Sequence, residues 1–479
     1  MKIKKGEDIE VEIHDLAFGG KGISRVETEE GGKFVIFVTN TIPGQIVKAR
    51  IMKKRKKHAE CRLLEVIKHS DLEQEIPYQK ISGAPYITLP IEHQIKFKQE
   101  ASIDLFRKIG ELKDASSFFD EFISSPNPYN YRNKMEYSFS VIRHDMDTLE
   151  ELDDFGLGFK HSGTWWKVEN LDNDSGLFDA EWENKLKELR KWFIETGLPA
   201  WHPPKKEGFY RHLVVRKSFH EDKLLLNLVT SSTDLDKFDK KGFVAKLVEL
   251  IGPRLAGVIH TVNDDVADRA KLEHGPSDVI HGKATIIENL LGLNFEISMQ
   301  SFFQTNPKCA EKLYQKVIDY TLENNSLEDS VVMDLFCGTG TIGQLLASQI
   351  KNVKVIGVDI VASAIENAKK NAKLNGIENL EFFAADVGKF LLEYPQYKGK
   401  IDTIILDPPR AGIIPKALKR VIELDAKKIV YVSCNPATQA RDSKELREAG
   451  YELLKFSLVD QFPHTAHVES IMLFEKRNS

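Results

Sequence analysis

The sequence predicts an α/β protein with a C-terminal doubly wound, Rossmann-like sheet, preceded by a small OB-like β-barrel and a central α+β domain. Three observations support this prediction. From about residue 330 onward, apolar strand-like runs alternate with helical patterns, which is typical of a doubly wound parallel sheet. The first 70 residues contain short strand patterns separated by glycine turns, as small barrels do. A chain of 479 residues also exceeds one ordinary core, so we expect domains at 1–70, 71–295 and 296–479.

The composition limits the class of protein. Apolar residues make up 42% and charged residues 29% of the chain, as in soluble globular proteins. Four widely spaced cysteines form no disulfide framework, which favours a reducing, cytoplasmic compartment. No apolar run reaches the length of a membrane span, so we expect no membrane partner. The net charge of −5 argues against a uniformly basic nucleic-acid binder but permits a local basic patch.

The N-terminal region combines predicted strands with a dense basic run. Alternating or apolar patterns predict strands at 9–13, 33–38 and 45–51. Between residues 48 and 59 lie seven Lys or Arg residues and no acid. This run is either a solvated hairpin or a patch that contacts RNA phosphates, and its single sign on an acidic chain favours the second interpretation.

The central region mixes basic and aromatic residues. An amphipathic pattern predicts a helix over 94–112, and 131–140 is a predicted strand with both residue types interleaved. The runs 211–216 and 224–229 predict paired strands. Aromatic side chains beside cations can stack bases of single-stranded RNA. Ordinary core and rim aromatics explain the composition equally well, and composition alone favours that explanation.

Carboxylates follow successive predicted strands in the C-terminal region. The strand at 331–335 runs into a Gly-x-Gly turn at 338–340, and Asp359, Asp386 and Asp407 end the next three strands. A carboxylate after the second strand can accept both hydroxyls of a ribose. The six-residue fingerprint of dinucleotide folds is absent. The pattern therefore suits S-adenosylmethionine better than NAD.

A cysteine closes the following strand. Residues 429–432 form a continuous apolar run, which predicts a strand buried on both faces, and Ser433, Cys434, Asn435 and Pro436 end it. Open α/β sheets bind their ligands at this end of the strands. A cysteine there is more often a small buried hydrophobe than a nucleophile, so Cys434 becomes a candidate nucleophile only together with other motifs.

Five motifs in order resemble the RNA uridine-5 methyltransferase family, which includes tRNA T-loop and ribosomal RNA enzymes. The motifs are SFFQTN at 301–306, DLFCG at 334–338, DPPRAG at 407–412, SCNP at 433–436 and DQFPHTAHVE at 460–469. The start of the chain resembles a TRAM domain, a small RNA-binding barrel. The resemblance implies a class I S-adenosylmethionine methyltransferase with Cys434 as nucleophile and Glu469 as base. It further implies a cofactor and target-base pocket lined by Gln304, Phe336, Thr341, Asp359, Asp386 and Asp407.

The chemistry of the reaction requires such residues. Carbon 5 of uracil is too weak a nucleophile to take a methyl group from a sulfonium, whereas thiolate addition at carbon 6 makes it an enolate carbon. A carboxylate must then remove the proton from carbon 5. Without the motifs, Glu469 would be interpreted as a surface carboxylate before the last strand, and Asp407 as a helix cap.

The resemblance leaves the substrate open. TRAM-like starts are commoner in ribosomal relatives, so we expect 23S rRNA as the partner of a monomeric enzyme, with the tRNA T-loop as the alternative. Many ribosomal relatives hold an iron–sulfur cluster on four cysteines, but the corresponding stretch 75–86 has none, so we predict no such centre and no metal. An exocyclic-amine methyltransferase, suggested by Asp-Pro-Pro at 407–409, and a non-catalytic RNA-binding protein are lower alternatives.

Overall fold

The computed structural model describes residues 4–27, 33–146, 148–265, 276–324 and 327–477. They form an N-terminal barrel, a central sheet and a C-terminal sheet that pack against one another. Within these residues, no helix combines the length and apolar character that crossing a membrane requires.

Six strands form the OB-like N-terminal barrel, in the spatial order β1-β5-β6-β4-β3-β2. They are β1 (Asp8–Glu12), β2 (Asp15–Ala17), β3 (Lys21–Glu27), β4 (Lys33–Thr39), β5 (Ile46–Lys54) and β6 (His58–Lys68). The three predicted strands are confirmed as β1, β4 and β5, whereas β2, β3 and β6 were not predicted. The basic residues at 53–57 are exposed at the β5–β6 hairpin.

A helix and a strand follow the barrel and join the C-terminal sheet. Helix α1 (Ile91–Lys108) buries Phe106 in the core of that sheet, and β7 (Phe119–Ile123) extends its edge. The expected domain limits put this segment in the central domain. The structure instead places this segment against the C-terminal sheet. The strand that pairs with β7 lies more than 300 residues later in the chain, and local sequence patterns carry no information over such a separation.

The central part is a seven-stranded sheet with the order β10-β9-β8-β11-β12-β13-β14. Its strands are β8 (Lys134–His144), β9 (Glu151–Lys160), β10 (Val168–Asn170), β11 (Tyr210–Ser218), β12 (Lys223–Thr230), β13 (Leu255–Val262) and β14 (Ser277–Gly282). Its helices are α2 (Ala180–Glu183), α3 (Leu186–Glu195) and α4 (Lys240–Ile251). The predicted pairing of β11 with β12 is confirmed as antiparallel.

A hairpin and a helix connect the central and C-terminal parts. Strands β15 (Thr285–Leu290) and β16 (Leu293–Ser298) pack with α5 (Pro307–Leu322) in one apolar cluster. Helix α5 begins where it does because the Asn306 side chain accepts a hydrogen bond from the Cys309 amide at 3.1 Å, with proline at the first helical position.

The C-terminal part is a mixed eight-stranded sheet with the order β19-β18-β17-β20-β21-β23-β22-β7. Its strands are β17 (Val331–Leu335), β18 (Lys354–Asp359), β19 (Leu380–Ala384), β20 (Ile401–Leu406), β21 (Lys428–Ser433), β22 (Tyr451–Val459) and β23 (Glu469–Lys476). Its helices are α6 (Thr341–Gln349), α7 (Ala362–Leu374), α8 (Val387–Glu393), α9 (Pro415–Glu423) and α10 (Pro436–Glu448). Strands β17 to β21 are parallel and β23 is antiparallel to β21. The predicted doubly wound sheet is confirmed.

Candidate active site

The ends of the parallel strands bring the predicted residues to one edge of the sheet. Strand register places Leu335 beside Val358 and Leu406. The next residues along these strands are Phe336, Asp359 and Asp407, which therefore lie side by side. Strand β21 pairs with β20 in the same direction and delivers Cys434 to the same edge.

The glycine turn after β17 leaves space for a ligand. Phe336 adopts a left-handed conformation at φ +63°, and its amide donates to the Val358 carbonyl at 2.9 Å. Gly338 has φ +55°, and a side chain there would meet no atom within 4 Å. Gly340, at φ +68°, lies so close to Phe382 that a Cβ would approach the ring to 2.3 Å. The turn therefore packs closely against Phe382 at Gly340 and is open at Gly338.

Asp359 spans this turn. Its Oδ2 accepts a hydrogen bond from the Gly338 amide at 2.9 Å, and its Oδ1 accepts one from the Val361 amide at 2.8 Å. Each carboxylate oxygen keeps a second lone pair for another donor, such as a ribose hydroxyl. Ile360, next in the chain, is 69% exposed and offers an apolar surface for an adenine ring. These features fit an adenosine cofactor.

Gln304 and Thr341 lie on opposite sides of a contact between the 301–306 loop and the glycine turn. The Thr339 hydroxyl is 3.5 Å from the Phe302 carbonyl and 3.4 Å from the Thr341 hydroxyl. Gln304 is buried, and its carbonyl accepts a hydrogen bond from Asn133 of the central sheet at 3.0 Å. The central part therefore holds the loop that carries Gln304.

Asp386 is placed differently from the other carboxylates. It is exposed, and its Oδ1 accepts a hydrogen bond from the Lys389 amide at 3.0 Å, which caps α8. The described contact of Asp386 is therefore a helix cap.

Cys434 and Glu469 meet because β21 and β23 are antiparallel. Ser433 pairs with Ser470, so one step further outward Cys434 stands opposite Glu469. Cys434 is half-buried, and Glu469 is only 3% exposed. The interpretation of Glu469 as a surface carboxylate before the strand is therefore wrong: it is the first residue of β23 and is buried.

Burial perturbs the titration of this cluster. It raises the pKa of Glu469 to about 8, with a further rise from Asp407 and an opposing effect of Arg410. Burial raises the pKa of Asp407 to about 7. Burial, then the negative charges of Glu469 and Asp407, raise the pKa of Cys434 to about 11, while the positive charge of Arg410 opposes this rise. These groups titrate as a coupled set, and the thiol of the free protein is protonated at neutral pH.

Arg410 is a site residue that the sequence analysis did not include. It lies within the quoted motif DPPRAG at 407–412, where a cation three residues after Asp407 was a usable signal. Asn435 holds the backbone at Arg410: the Asn435 side-chain Nδ2 donates to the Arg410 carbonyl at 2.9 Å, while its Oδ1 accepts the Ala437 amide and caps α10. One side chain therefore ties the arginine loop to the residue that follows Cys434.

Two buried residues also border the site. Tyr314 on α5 has its pKa raised well above its usual value by burial and by the charges of Asp407, Glu469 and Asp334. Asp334, on β17, accepts the Gly343 amide at 2.9 Å, and burial raises its pKa to about 7. Asp334 lies in a quoted motif, whereas nothing in the helical pattern around Tyr314 marks it.

The fold and the cofactor side of the site define a class I S-adenosylmethionine-dependent methyltransferase. The tRNA (Uracil-5-)-methyltransferase family matches residues 283–477, and the TRAM domain matches residues 2–64. An uncharacterized RNA methyltransferase from Clostridium tetani is 38% identical, covering 100% of both chains. Another from Caldanaerobacter subterraneus is also 38% identical, covering 98% of this chain and 99% of the relative.

A solved structure agrees with these matches. The Pyrococcus abyssi tRNA (uracil-54, C5)-methyltransferase in complex with S-adenosyl-L-homocysteine is 26% identical, with a TM-score of 0.69, covering 97% of this chain and 100% of that chain. The chain therefore belongs to the RNA uracil-5 methyltransferase family and carries an N-terminal TRAM domain. It is an RNA methyltransferase whose cofactor is S-adenosylmethionine, as the motifs predicted.

Proposed function

We propose that this protein methylates carbon 5 of a uridine in RNA through a covalent bond between Cys434 and carbon 6 of the base. The convergence of a thiol, two carboxylates and a guanidinium at one sheet edge carries the proposal. Cys434 stands opposite Glu469 by strand register, and Asp407 and Arg410 influence the pKa of both. Direct transfer to an exocyclic amine would need no thiol at this point.

Each residue has one role in the proposed reaction. The Cys434 thiolate adds to carbon 6, which places an electron pair on carbon 5 and the carbonyl oxygen of the ring. Bound S-adenosylmethionine supplies the methyl group that carbon 5 takes. Glu469 then removes the proton from carbon 5, and the electrons of that bond re-form the ring double bond as the carbon–sulfur bond breaks. Cys434 leaves as a thiolate, ready for another turnover.

Residues from several strand ends would hold the cofactor in this proposal. Asp359 would accept the ribose hydroxyls, and Phe336, Thr341, Gln304 and Asp407 would line the pocket for the cofactor and the base. Asp386 matches a pocket position by resemblance, but its described contact is the cap of α8. A carboxylate on each successive strand is suited to a ligand without phosphate groups.

The covalent step is tested by trapping. An RNA containing 5-fluorouridine should form a denaturant-resistant bond with the wild-type protein in the presence of S-adenosylmethionine, because fluorine at carbon 5 cannot leave as a proton does. Cys434→Ala should abolish both the bond and methyl transfer. Cys61→Ala, which removes a buried thiol of the barrel, should retain both. Full methylation by Cys434→Ala would contradict the covalent mechanism.

For the RNA partner, we retain 23S rRNA as the first candidate. Residues 1–70, with the exposed hairpin at 52–57, and the central region 71–295 contact it in this proposal. The tRNA T-loop is the second candidate, favoured by the likeness to the Pyrococcus abyssi tRNA enzyme. That match spans 97% of this chain, so a TRAM-type start by itself does not distinguish the two.

The substrate is identified by labelling. RNA from a strain lacking the gene is incubated with the enzyme and methyl-labelled S-adenosylmethionine, and the ribosomal and transfer RNAs are then separated. Label in the large ribosomal RNA supports the first candidate, and label in tRNA supports the second. Mapping 5-methyluridine in the labelled fraction then gives the position.

A further inference from the structure

The loop of residues 460–468, here called the base loop, joins β22 to β23 and ends at Glu469. Most of its residues are buried, although it has no regular secondary structure. The position of Glu469 relative to Cys434 therefore depends on what holds this loop. Parts of the chain far away in sequence hold it on three sides.

Helix α1 holds the start of the base loop. The Lys98 ammonium lies 2.6 Å from Asp460 Oδ1 and donates to the Phe462 carbonyl at 3.1 Å, with the Lys98 side chain 4% and the Asp460 side chain 1% exposed. One turn earlier on the helix, Gln94 Oε1 accepts the His464 amide at 2.8 Å. Because these polar groups are buried, displacing the loop would leave several of them unpaired.

Aromatic stacking holds the middle of the base loop. His464 has φ +66°, and its ring stacks on Tyr129 with centroids 4.5 Å apart. Tyr129 in turn stacks on Tyr78 at 4.7 Å. The His464 carbonyl accepts the Tyr86 amide at 3.1 Å. Tyr78 and Tyr86 both belong to the stretch 75–86, which therefore also supports the base loop.

The N-terminal barrel holds the end of the base loop. Gly20, in the turn between β2 and β3, has φ +79°. A Cβ on it would lie 2.4 Å from the Ala466 Cβ and 2.7 Å from the Tyr86 hydroxyl. Gln94 and Lys98 of α1 and Ala466 and Val468 line a cleft beside this turn. The backbone of the barrel thus presses on the chain three residues before Glu469.

We propose that the N-terminal barrel is a positioning element of the catalytic centre, in which Gly20 supports Ala466 and so keeps Glu469 beside the Cys434 adduct. This inference rests on the proposed role of Glu469 as base. The barrel then does more than bind RNA: it is required for the second half of the reaction. Gly20 is a positioning residue, since it acts on the base loop and touches no substrate.

The turn contains a matched control. Gly19 has φ +83°, nearly the same as Gly20, but a side chain on Gly19 would meet no atom within 4 Å. Gly19→Ala and Gly20→Ala therefore impose the same type of backbone strain on the barrel. Only Gly20→Ala also pushes against Ala466 of the base loop and against the Tyr86 hydroxyl, so a difference between the two variants reports on these two contacts.

Gly20→Ala should lower kcat by about 10- to 100-fold, the size expected when a catalytic group is misplaced by about 1 Å. KM for RNA should change little. Ordinary RNA should accumulate as a covalent complex, because the methylated adduct keeps its proton at carbon 5 and the carbon–sulfur bond cannot break. Gly19→Ala should keep kcat within about threefold of wild type and accumulate no complex.

Two further variants keep the test decisive. Adding Ala466→Gly to Gly20→Ala removes the Cβ of the closest contact and should restore most of kcat. Ala466→Val enlarges the same contact from the loop side without altering the barrel, so it should reproduce the kcat loss even if Gly20→Ala fails to fold. Thermal denaturation of each variant verifies folding.

The possible results separate this inference from the proposed function. If Gly20→Ala raises KM with kcat unchanged, or if Gly19→Ala lowers kcat equally, the barrel is an RNA-binding module only and the inference is overturned. Both results are compatible with Cys434 trapping by 5-fluorouridine RNA. If wild-type protein forms no trapped adduct, the proposed function itself fails. If 5-fluorouridine RNA traps every variant, and only Gly20→Ala and Ala466→Val turn over slowly, the result supports both the proposed function and this inference.

Discussion

Replacing Arg410 with glutamine would remove a cation that opposes the raised pKa of Cys434. Arg410 lowers the pKa of both Cys434 and Glu469, against burial and the charge of Asp407. Glutamine keeps much of the length and polarity of the side chain but carries no charge. The variant therefore tests electrostatics more than packing.

The magnitude follows from the charge of Arg410. A nearby opposite charge shifts the pKa of a group by about 1–3 units, and one pKa unit corresponds to about 1.4 kcal/mol. Loss of Arg410 should thus raise the pKa of Cys434 by about 1–3 units. Because Arg410 is exposed, solvent screening favours the lower end of that range. At a pH below the pKa of the thiol, the thiolate fraction and the rate of adduct formation should fall about 10-fold.

The assay is the rate of 5-fluorouridine trapping in single turnovers between pH 6 and 9, with saturating RNA and cofactor. The wild-type rate should rise with pH, since the thiol must lose its proton. The profile of Arg410→Gln should lie about one pH unit higher. Arg420→Gln, which removes a cation paired with Glu423 on the surface of α9, should retain the wild-type profile. Identical profiles for Arg410→Gln and wild type would refute the reasoning.

Three other predictions concern charge and burial. Burial raises the pKa of Glu469 to about 8, so the folded state loses stability as pH rises from about 4.3 to about 8. Glu469→Gln removes this loss and should raise Tm more at pH 8 than at pH 5. An equal gain in Tm at both pH values would contradict this prediction. Asp359→Ala should weaken the binding of S-adenosyl-L-homocysteine, measured by calorimetry, about 10- to 100-fold. Asp386→Ala should mainly lower the free energy of unfolding, by about 1 kcal/mol for a lost helix cap. A larger loss of binding in Asp386→Ala than in Asp359→Ala would argue against Asp359 as the ribose-binding residue. Lys98→Ala leaves a buried carboxylate unpaired and should cost about 3–5 kcal/mol in urea unfolding, while Lys96→Ala, exposed on the same helix, should cost under about 0.5 kcal/mol.

Local patterns sufficed where a strand is buried on both faces. The apolar run 429–432 lies within β21, all six residues of which are buried, because a strand covered on both faces needs apolar residues at successive positions. Strand β2 was not predicted because three residues are too few to establish a period. The strands β3 and β6 were not predicted either. The limits expected for the three domains remain a prediction. Helix α1 and strand β7, which fall within the expected central domain, pack with the C-terminal sheet.

The sequence by itself determined the fold class, the cofactor and the strand end that carries Cys434, because period, strand boundaries and motif order are local properties of a chain. Only the tertiary structure showed that Glu469 is buried opposite Cys434 and that Arg410 faces the same sulfur. The tertiary structure also showed that Gly20 lies against Ala466, although more than 440 residues separate them in the sequence. Such contacts depend on how whole elements pack, and packing joins residues whose separation along the chain leaves no periodic signal.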